Sequence, residues 1–347
     1  MNGSVQSSPL LKACFFSNEP LEQLSKEQYS IQDISILSDL GYELTIATSF
    51  SQIPFGCDLY FSWWASGSIL PLIKARLSKK PIIVVAGGNE AMYYRDSVSR
   101  APSGYLATPW YKKIATRVCL RFAQRVLTVS KFMEADTKSL GARSPITVYN
   151  SVNTNIFTIS NISRSYVTSI FNLEDSTIKI KRGDIYIKSI PYILKEFPDQ
   201  KFIIIGSKQN GYQKLKQLVV DLGINKSVDF IGSIDNSHVC NWLQSSRVYV
   251  QISDTETFGV AVAEAMSCGT PVVVSRRGAL PELVGDCGIF VDHNDPKSVA
   301  NGIIGLLRLP EKERDKIGLN GRARIVNNFT YEARKERIEE IIKTLDQ

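Results

Sequence analysis

Residues 253–275 read SDTETFGVAVAEAMSCGTPVVVS. The run VYVQIS (248–253) before them is short and β-branched, as a strand requires. The polar DTET then interrupts it, and a helix is expected to begin near Phe258. That helix stops at Gly269, and Thr270 and Pro271 lead into a second short strand, TPVVVS (270–275). Strand, loop, helix and strand in this order form the βαβ unit of a parallel sheet covered on both faces. Two carboxylates stand out. Glu256 falls at the strand's carboxyl end and the helix's amino end, where the N–H groups of residues 257–260 point outward and attract an anion. Gly259 lets a ligand approach that backbone closely. Glu264 lies one to two turns on, inside VAVAEAMSC, where a charged carboxylate is costly without a partner. A ligand hydroxyl would serve, and so would a buried Arg or Lys. Taken on spacing alone, a helix-start carboxylate and an ion-paired structural residue are the alternatives for this pair.

The same alternation runs outward from this stretch. KFIIIGS (201–207) and VDFIGS (228–233) read as strands. IKSIPYILKEF (187–197), YQKLKQLVVDLG (212–223), SHVCNWLQSS (237–246) and DPKSVANGIIGLLRL (295–309) have helical spacing, the last with Asp295 as its cap. In the first half LKACFFS, YELTIATS, DLYFSWW, PIIVVAGG and RVLTVS read as strands, and SIQDISILSDLG and SILPLIKARLSKK as helices between them. The fold class is therefore α/β, two Rossmann-like doubly wound domains with ligands expected in a cleft where their strands' carboxyl ends meet. The polar SVNTNIFTISNIS marks the linker. It gives domains at 1–155 and 156–330, with YEARKERIEEIIKTL (331–345) opening a charged amphipathic helix (331–347) that packs back on the first domain.

The 347 residues suit two domains, and 44% hydrophobic with 22% charged residues is the balance of a water-soluble globular chain. No apolar run approaches the ~20 residues that cross a membrane. The opening MNGSVQSSPLLKACFF has too short an apolar core and no basic leader for a signal peptide. The six cysteines are scattered without a CxxC pair, as expected of reduced thiols in a cytoplasmic protein. With only two histidines, His238 and His293, no metal site is expected. The charge is uneven. Residues 1–165 hold 17 Lys and Arg against 11 Asp and Glu, and residues 166–347 hold 24 against 23. KARLSKKP (74–81) and WYKKIATRVCLRFAQR (110–125) carry much of the excess. Solvated faces are the ordinary meaning of such charge. Attraction to an anionic membrane surface or an anionic acceptor is the functional one. Nucleic acid is not expected, because no recognition motif accompanies the charge.

The stretch from Glu256 to Glu264, with AMSCGTPVVVS after it, resembles the Glu-x7-Glu signature of the retaining, nucleotide-sugar-dependent glycosyltransferases of family 4. Residues 126–157, 201–234 and 279–303 resemble other segments of that family, which has the GT-B fold with its active site between two Rossmann-like domains. The resemblance implies a donor nucleoside-diphosphate sugar, UDP- or GDP-linked, and no metal or other cofactor. It implies that Glu256 contacts the transferred sugar and that Glu264 holds the ribose hydroxyls. Amides near Phe258, Gly259 and Val260 would approach the sugar and diphosphate, Lys181 in KIKRGDIYIKS (179–189) would neutralise the diphosphate, and Gly232 and Ser233 would lie by the base.

Three positions depart from the pattern. Ser176 stands where the family has an arginine, with Lys179 or Arg182 as substitutes. Neither histidine is in the first domain, and the AGGNEAMYY loop (86–94) takes the place of the family's histidine there, Gly87, Gly88, Asn89 and Glu90 forming a sugar or acceptor loop or a structural turn. The Gly-rich loop after the first strand is absent. The expected function is a hexosyltransferase-like enzyme of polysaccharide or glycolipid assembly, cytoplasmic or peripheral on the inner face of the membrane, with a glycolipid or saccharide acceptor. A non-catalytic nucleotide-sugar binder and a sugar-nucleotide epimerase are the alternatives. Trp63 and Trp64 in FSWWASG fit either a glycolipid contact or core packing.

Overall fold

The computed structural model describes residues 11–24 and 27–345. The amino-terminal stretch inspected for a leader lies, as far as Leu10, outside the described residues. The strands in chain order are Leu11–Phe16 (β1), Tyr42–Ala47 (β2), Leu59–Trp63 (β3), Ile82–Ala86 (β4), Tyr93–Arg95 (β5), Pro102–Gly104 (β6), Arg125–Thr128 (β7), Pro145–Thr147 (β8), Tyr166–Ile170 (β9), Lys201–Ile205 (β10), Val228–Gly232 (β11), Ser246–Gln251 (β12), Val272–Ser275 (β13) and Gly288–Val291 (β14). They form two six-stranded parallel sheets, ordered β2-β1-β3-β4-β7-β8 and β11-β10-β9-β12-β13-β14, and one antiparallel hairpin, β5-β6. The chain divides into two compact units. Described residues up to Ser151, with those from Glu332 onward, make the first, and Val152–Tyr331 make the second.

In the first unit β3 and β4 are wholly buried, LYFSW and IIVVA, as central parallel strands with helices on both faces must be. Chain direction across the sheet reverses between β1 and β3. Right-handed crossovers therefore place the helices Ile69–Ser78, Trp110–Phe122 and Phe132–Ser139 on one face and Gln28–Asp39 on the other. Arg334, from the last helix (Tyr331–Lys343), is buried in this unit. Its Nε and Nη2 donate to Asp33 at 2.6 and 2.8 Å, and its Nη1 to the carbonyls of Val148 and Tyr149. Trp63 Nε1 donates to the same Asp33 at 2.8 Å. Trp63 is 1% exposed, so core packing accounts for it and the glycolipid contact does not.

In the second unit the core lies between β9–β13 and the helices Gly183–Leu194, Tyr212–Asp221 and Pro296–Arg308, filled by Val167, Ile187, Ile190, Phe202, Ile204 and Ile303. Asp295 caps its helix by accepting from the Lys297 amide at 2.9 Å. Both sheets have a topological switch point, at β1/β3 and at β9/β12, where successive connections leave in opposite directions. Loops following such a pair splay apart and open a crevice.

Candidate active site

The loop after β12 and the helix after β9 meet at the second unit's switch point. Glu256 sits in that loop and Lys181 ends the helix Asp175–Lys181. Lys181 Nζ donates to Glu256 Oε1, which also accepts from Gln251 Nε2 and Ser253 Oγ, each at 2.6 Å. Gln251 is itself oriented by the hydroxyl of the buried Tyr249, 2.6 Å from its Oε1. One carboxylate oxygen is thus saturated by three donors. Oε2 carries no hydrogen bond among the described residues. The Glu256 side chain is 12% exposed and that of Lys181 23%, so the pair is shielded but reachable.

Asp254, two residues before Glu256, fixes this geometry. It is fully buried. It pairs with Arg182 Nη2 at 3.0 Å and His293 Nε2 at 2.7 Å, and its amide donates to the Ile180 carbonyl at 2.7 Å. Arg277 Nε donates to its backbone carbonyl at 3.0 Å. The loops after β12, β13 and β14 are therefore tied to the residues flanking Lys181. Sequence reasoning missed Asp254 and left His293 without a role. The available signal was an acid in a loop already singled out, but burial of that loop is a tertiary property. Gly278 adds a second brace. Its φ is +58°, and a Cβ there would lie 2.4 and 2.3 Å from the backbone N and O of Glu256.

The helix begins at Val260, two residues later than expected, because Gly259 takes a left-handed cap conformation at φ +100°. Phe258 is 3% exposed and stacks edge-on against Phe329, so only its backbone is available to a ligand. Glu264 is buried and makes no side-chain hydrogen bond or ion pair among the described residues; neither Arg nor Lys reaches it. Burial, with Cys240 nearby, pushes its carboxyl up to about 8. Gly232 ends β11 at φ +94°, close enough to Lys208 that an added Cβ would touch its Cε at 3.9 Å, and Ser233 is exposed beside it. Lys208 is a further cation on this edge that the sequence did not suggest. Of the two substitutes for the arginine absent at Ser176, Arg182 is committed to Asp254, whereas Lys179 is exposed and has no partner among the described residues.

The AGGNEAMYY loop belongs to the first unit, after β4. Gly87 and Gly88 lie close against the tryptophan pair. A Cβ on Gly87 would lie 2.3 Å from the Trp63 ring, and one on Gly88 would lie 2.6 Å from Trp64 and 2.7 Å from Glu90 Oε2. Burial pushes the Glu90 carboxyl up to about 7, and its Oε1 has no partner. The Asn89 side chain lies outside the described residues. Among the described residues, no group of three or more His, Cys, Asp or Glu is placed to hold a metal ion.

Residues 177–324 match the family model for glycosyl transferases group 1. A GDP-mannose-dependent monoacylated α-(1-6)-phosphatidylinositol monomannoside mannosyltransferase of Corynebacterium glutamicum is 26% identical over 186 residues, 51% of this chain and 48% of that protein. N-acetyl-α-D-glucosaminyl L-malate synthase of Bacillus anthracis is 32% identical over 156 residues, 44% of this chain and 40% of that protein. The chain thus spans less than half the length of these relatives. Anabaena Alr3699/HepE, solved in complex with UDP and glucose, superposes with a TM-score of 0.72 at 18% identity, covering 96% of this chain and 100% of its own, a likeness of fold. The two parallel six-stranded sheets are those of GT-B glycosyltransferase structures.

Proposed function

We propose that this chain, whose residues 177–324 match the family model for glycosyl transferases group 1, transfers a sugar from a nucleoside-diphosphate donor to a hydroxyl acceptor with retention of anomeric configuration. The observation that carries this reading is the Lys181–Glu256 pair at the β9/β12 switch point, eight residues before the unpartnered carboxyl of Glu264. The donor's ribose diol supplies Glu264 with the hydrogen bonds it lacks. The diphosphate lies over the first-turn amides after Gly259, where the helix end favours an anion. Glu256, its Oε1 saturated, offers Oε2 to the sugar hydroxyls.

In the transfer step the bond from the anomeric carbon to the phosphate oxygen breaks, and its electron pair stays with the phosphate. Lys181 meets the charge that develops there. The acceptor hydroxyl bonds to the anomeric carbon on the same face, and its proton passes to the departing phosphate oxygen. Glu256 orients the donor and forms no covalent bond. No metal enters this scheme, since a fixed ammonium and backbone amides do its electrostatic work. The base, uridine or guanosine, lies by Gly232 and Ser233. The acceptor is a glycolipid or saccharide, and the reaction takes place in the cytoplasm.

The test is a panel of UDP-, GDP- and ADP-sugars incubated without metal, with released nucleotide recorded. One donor should release nucleotide, and Lys181→Ala and Glu256→Gln should each slow release by about 10²–10³-fold. Donor converted to its epimer without nucleotide release, or release unaffected by both substitutions, would overturn the proposal.

A further inference from the structure

The first unit carries a surface that this chemistry does not use. Residues 59–89 and 97–133 contain no Asp or Glu and eleven Lys or Arg. They supply the helices Ile69–Ser78 and Trp110–Phe122, which pack side by side on one face of the first sheet. The outer faces of these helices expose large apolar groups: Trp110 is 74% exposed, Leu77 69%, Ile114 55% and Phe122 49%. At the end of this face lies a cavity of about 520 Å³ lined by Arg76, Arg121, Arg125 and Arg143. None of the four has a carboxylate partner among the described residues. Arg76 donates to the Phe122 carbonyl, and Arg125 to the carbonyls of Gln124 and Thr344.

Four guanidiniums around one cavity repel one another unless an anion sits among them, and phosphate is the anion whose geometry they match. A soluble phosphate would not account for the apolar groups beside the cavity. A nucleic acid would use the charge but leave Leu77 and Ile114 in water, and an acidic protein would need an apolar surface of its own to match Trp110, Leu77 and Ile114. A bilayer uses both, with aromatic and aliphatic groups entering the headgroup boundary while the basic side chains reach the phosphates. The helix Trp110–Phe122 is about 20 Å long, enough to rest along the interface. We propose that the outer face of these two helices, with the four-arginine cavity at its end, docks on an anionic phospholipid bilayer, one headgroup phosphate entering the cavity.

The experiment is flotation of the full chain with phosphatidylcholine vesicles, with and without phosphatidylglycerol, in the absence of any sugar donor. Binding is expected only to the anionic vesicles and should weaken steeply as salt shortens the screening length. Arg121→Ala with Arg143→Ala should weaken it about 25-fold, at roughly fivefold per basic group. Trp110 fluorescence should shift to the blue on binding, and Trp110→Phe should remove that shift. Both variants should keep the parent's thermal midpoint, because these side chains are exposed. Equal binding to both vesicle types, no binding, or thermal stabilisation by inorganic phosphate without vesicle binding would overturn the proposal. Because no donor is present, none of these results bears on the transferase reading.

Discussion

Glu264 is a buried carboxylic acid held well above the ordinary carboxylate range, up to about 8. Below about pH 4.5 its carboxyl is neutral in the folded and unfolded chain alike, and its burial costs little. Between there and about 8 the unfolded chain ionises while the folded one keeps its proton. Stability therefore falls as pH rises through this window, by up to ~1.4 kcal/mol per pH unit. Glu264→Gln lacks this slope, so its unfolding free energy relative to the parent should rise by a few kcal/mol from pH 5 to 8, read from denaturant melts at each pH. A difference that stays flat would mean that the folded carboxyl is already ionised at pH 5. Nucleotide binding should reverse the shift, since diol hydroxyls favour the charged form. Calorimetry near pH 7 in buffers of different ionisation enthalpy should then record release of up to about one proton per nucleotide bound, and none for Glu264→Gln.

Among the elements, the helix after β12 depends on backbone that only glycine supplies. Gly278→Ala places a methyl against the Glu256 backbone at a positive φ, so it should cost about 1–3 kcal/mol and weaken nucleotide-induced thermal stabilisation. Gly305 makes a useful contrast. It is exposed in the helix Pro296–Arg308 with nothing within 4 Å of an added Cβ, and Gly305→Ala should stabilise by about 0.5–1 kcal/mol. The elements that were legible in the sequence share one property. Parallel strands buried on both faces, such as those holding FIII and VVV, read as unbroken apolar runs, and the helices between them keep a 3.6 period. Strand β9 was not read, because Thr168 and Ser169 interrupt it behind a polar linker. Helix Glu311–Asn328 was not read either, because its sequence is polar all round and holds two glycines. Within the site, Glu256 and Glu264 could be located from chain pattern, and Lys181 from the family resemblance. The Asp254–His293–Arg182 cluster could not, because it joins residues from three separate loops and exists only once the sheet is formed.

At the scale of the molecule, two sheets with separate cores share one chain, and its last residues return to the first. Each unit has its own buried ionic centre: Asp33 with Arg334 and Trp63 in one, Asp254 with Arg182 and His293 in the other. Removing one member of a buried pair leaves the other charge without compensation and costs about 3–5 kcal/mol. The two losses should be felt in different places, because protection from hydrogen exchange follows the cooperative unit to which an amide belongs. Asp33→Asn should raise exchange in peptides from β1, β3, β4 and the final helix, and leave those from β9 to β13 at the parent's rate. Asp254→Asn should do the reverse, and should also loosen the loop that holds Glu256. Exchange measured by mass spectrometry on both variants separates these patterns. If either substitution deprotected both sheets equally, the chain would be unfolding as one cooperative body, and the final helix would be stabilising more than the unit in which Arg334 is buried.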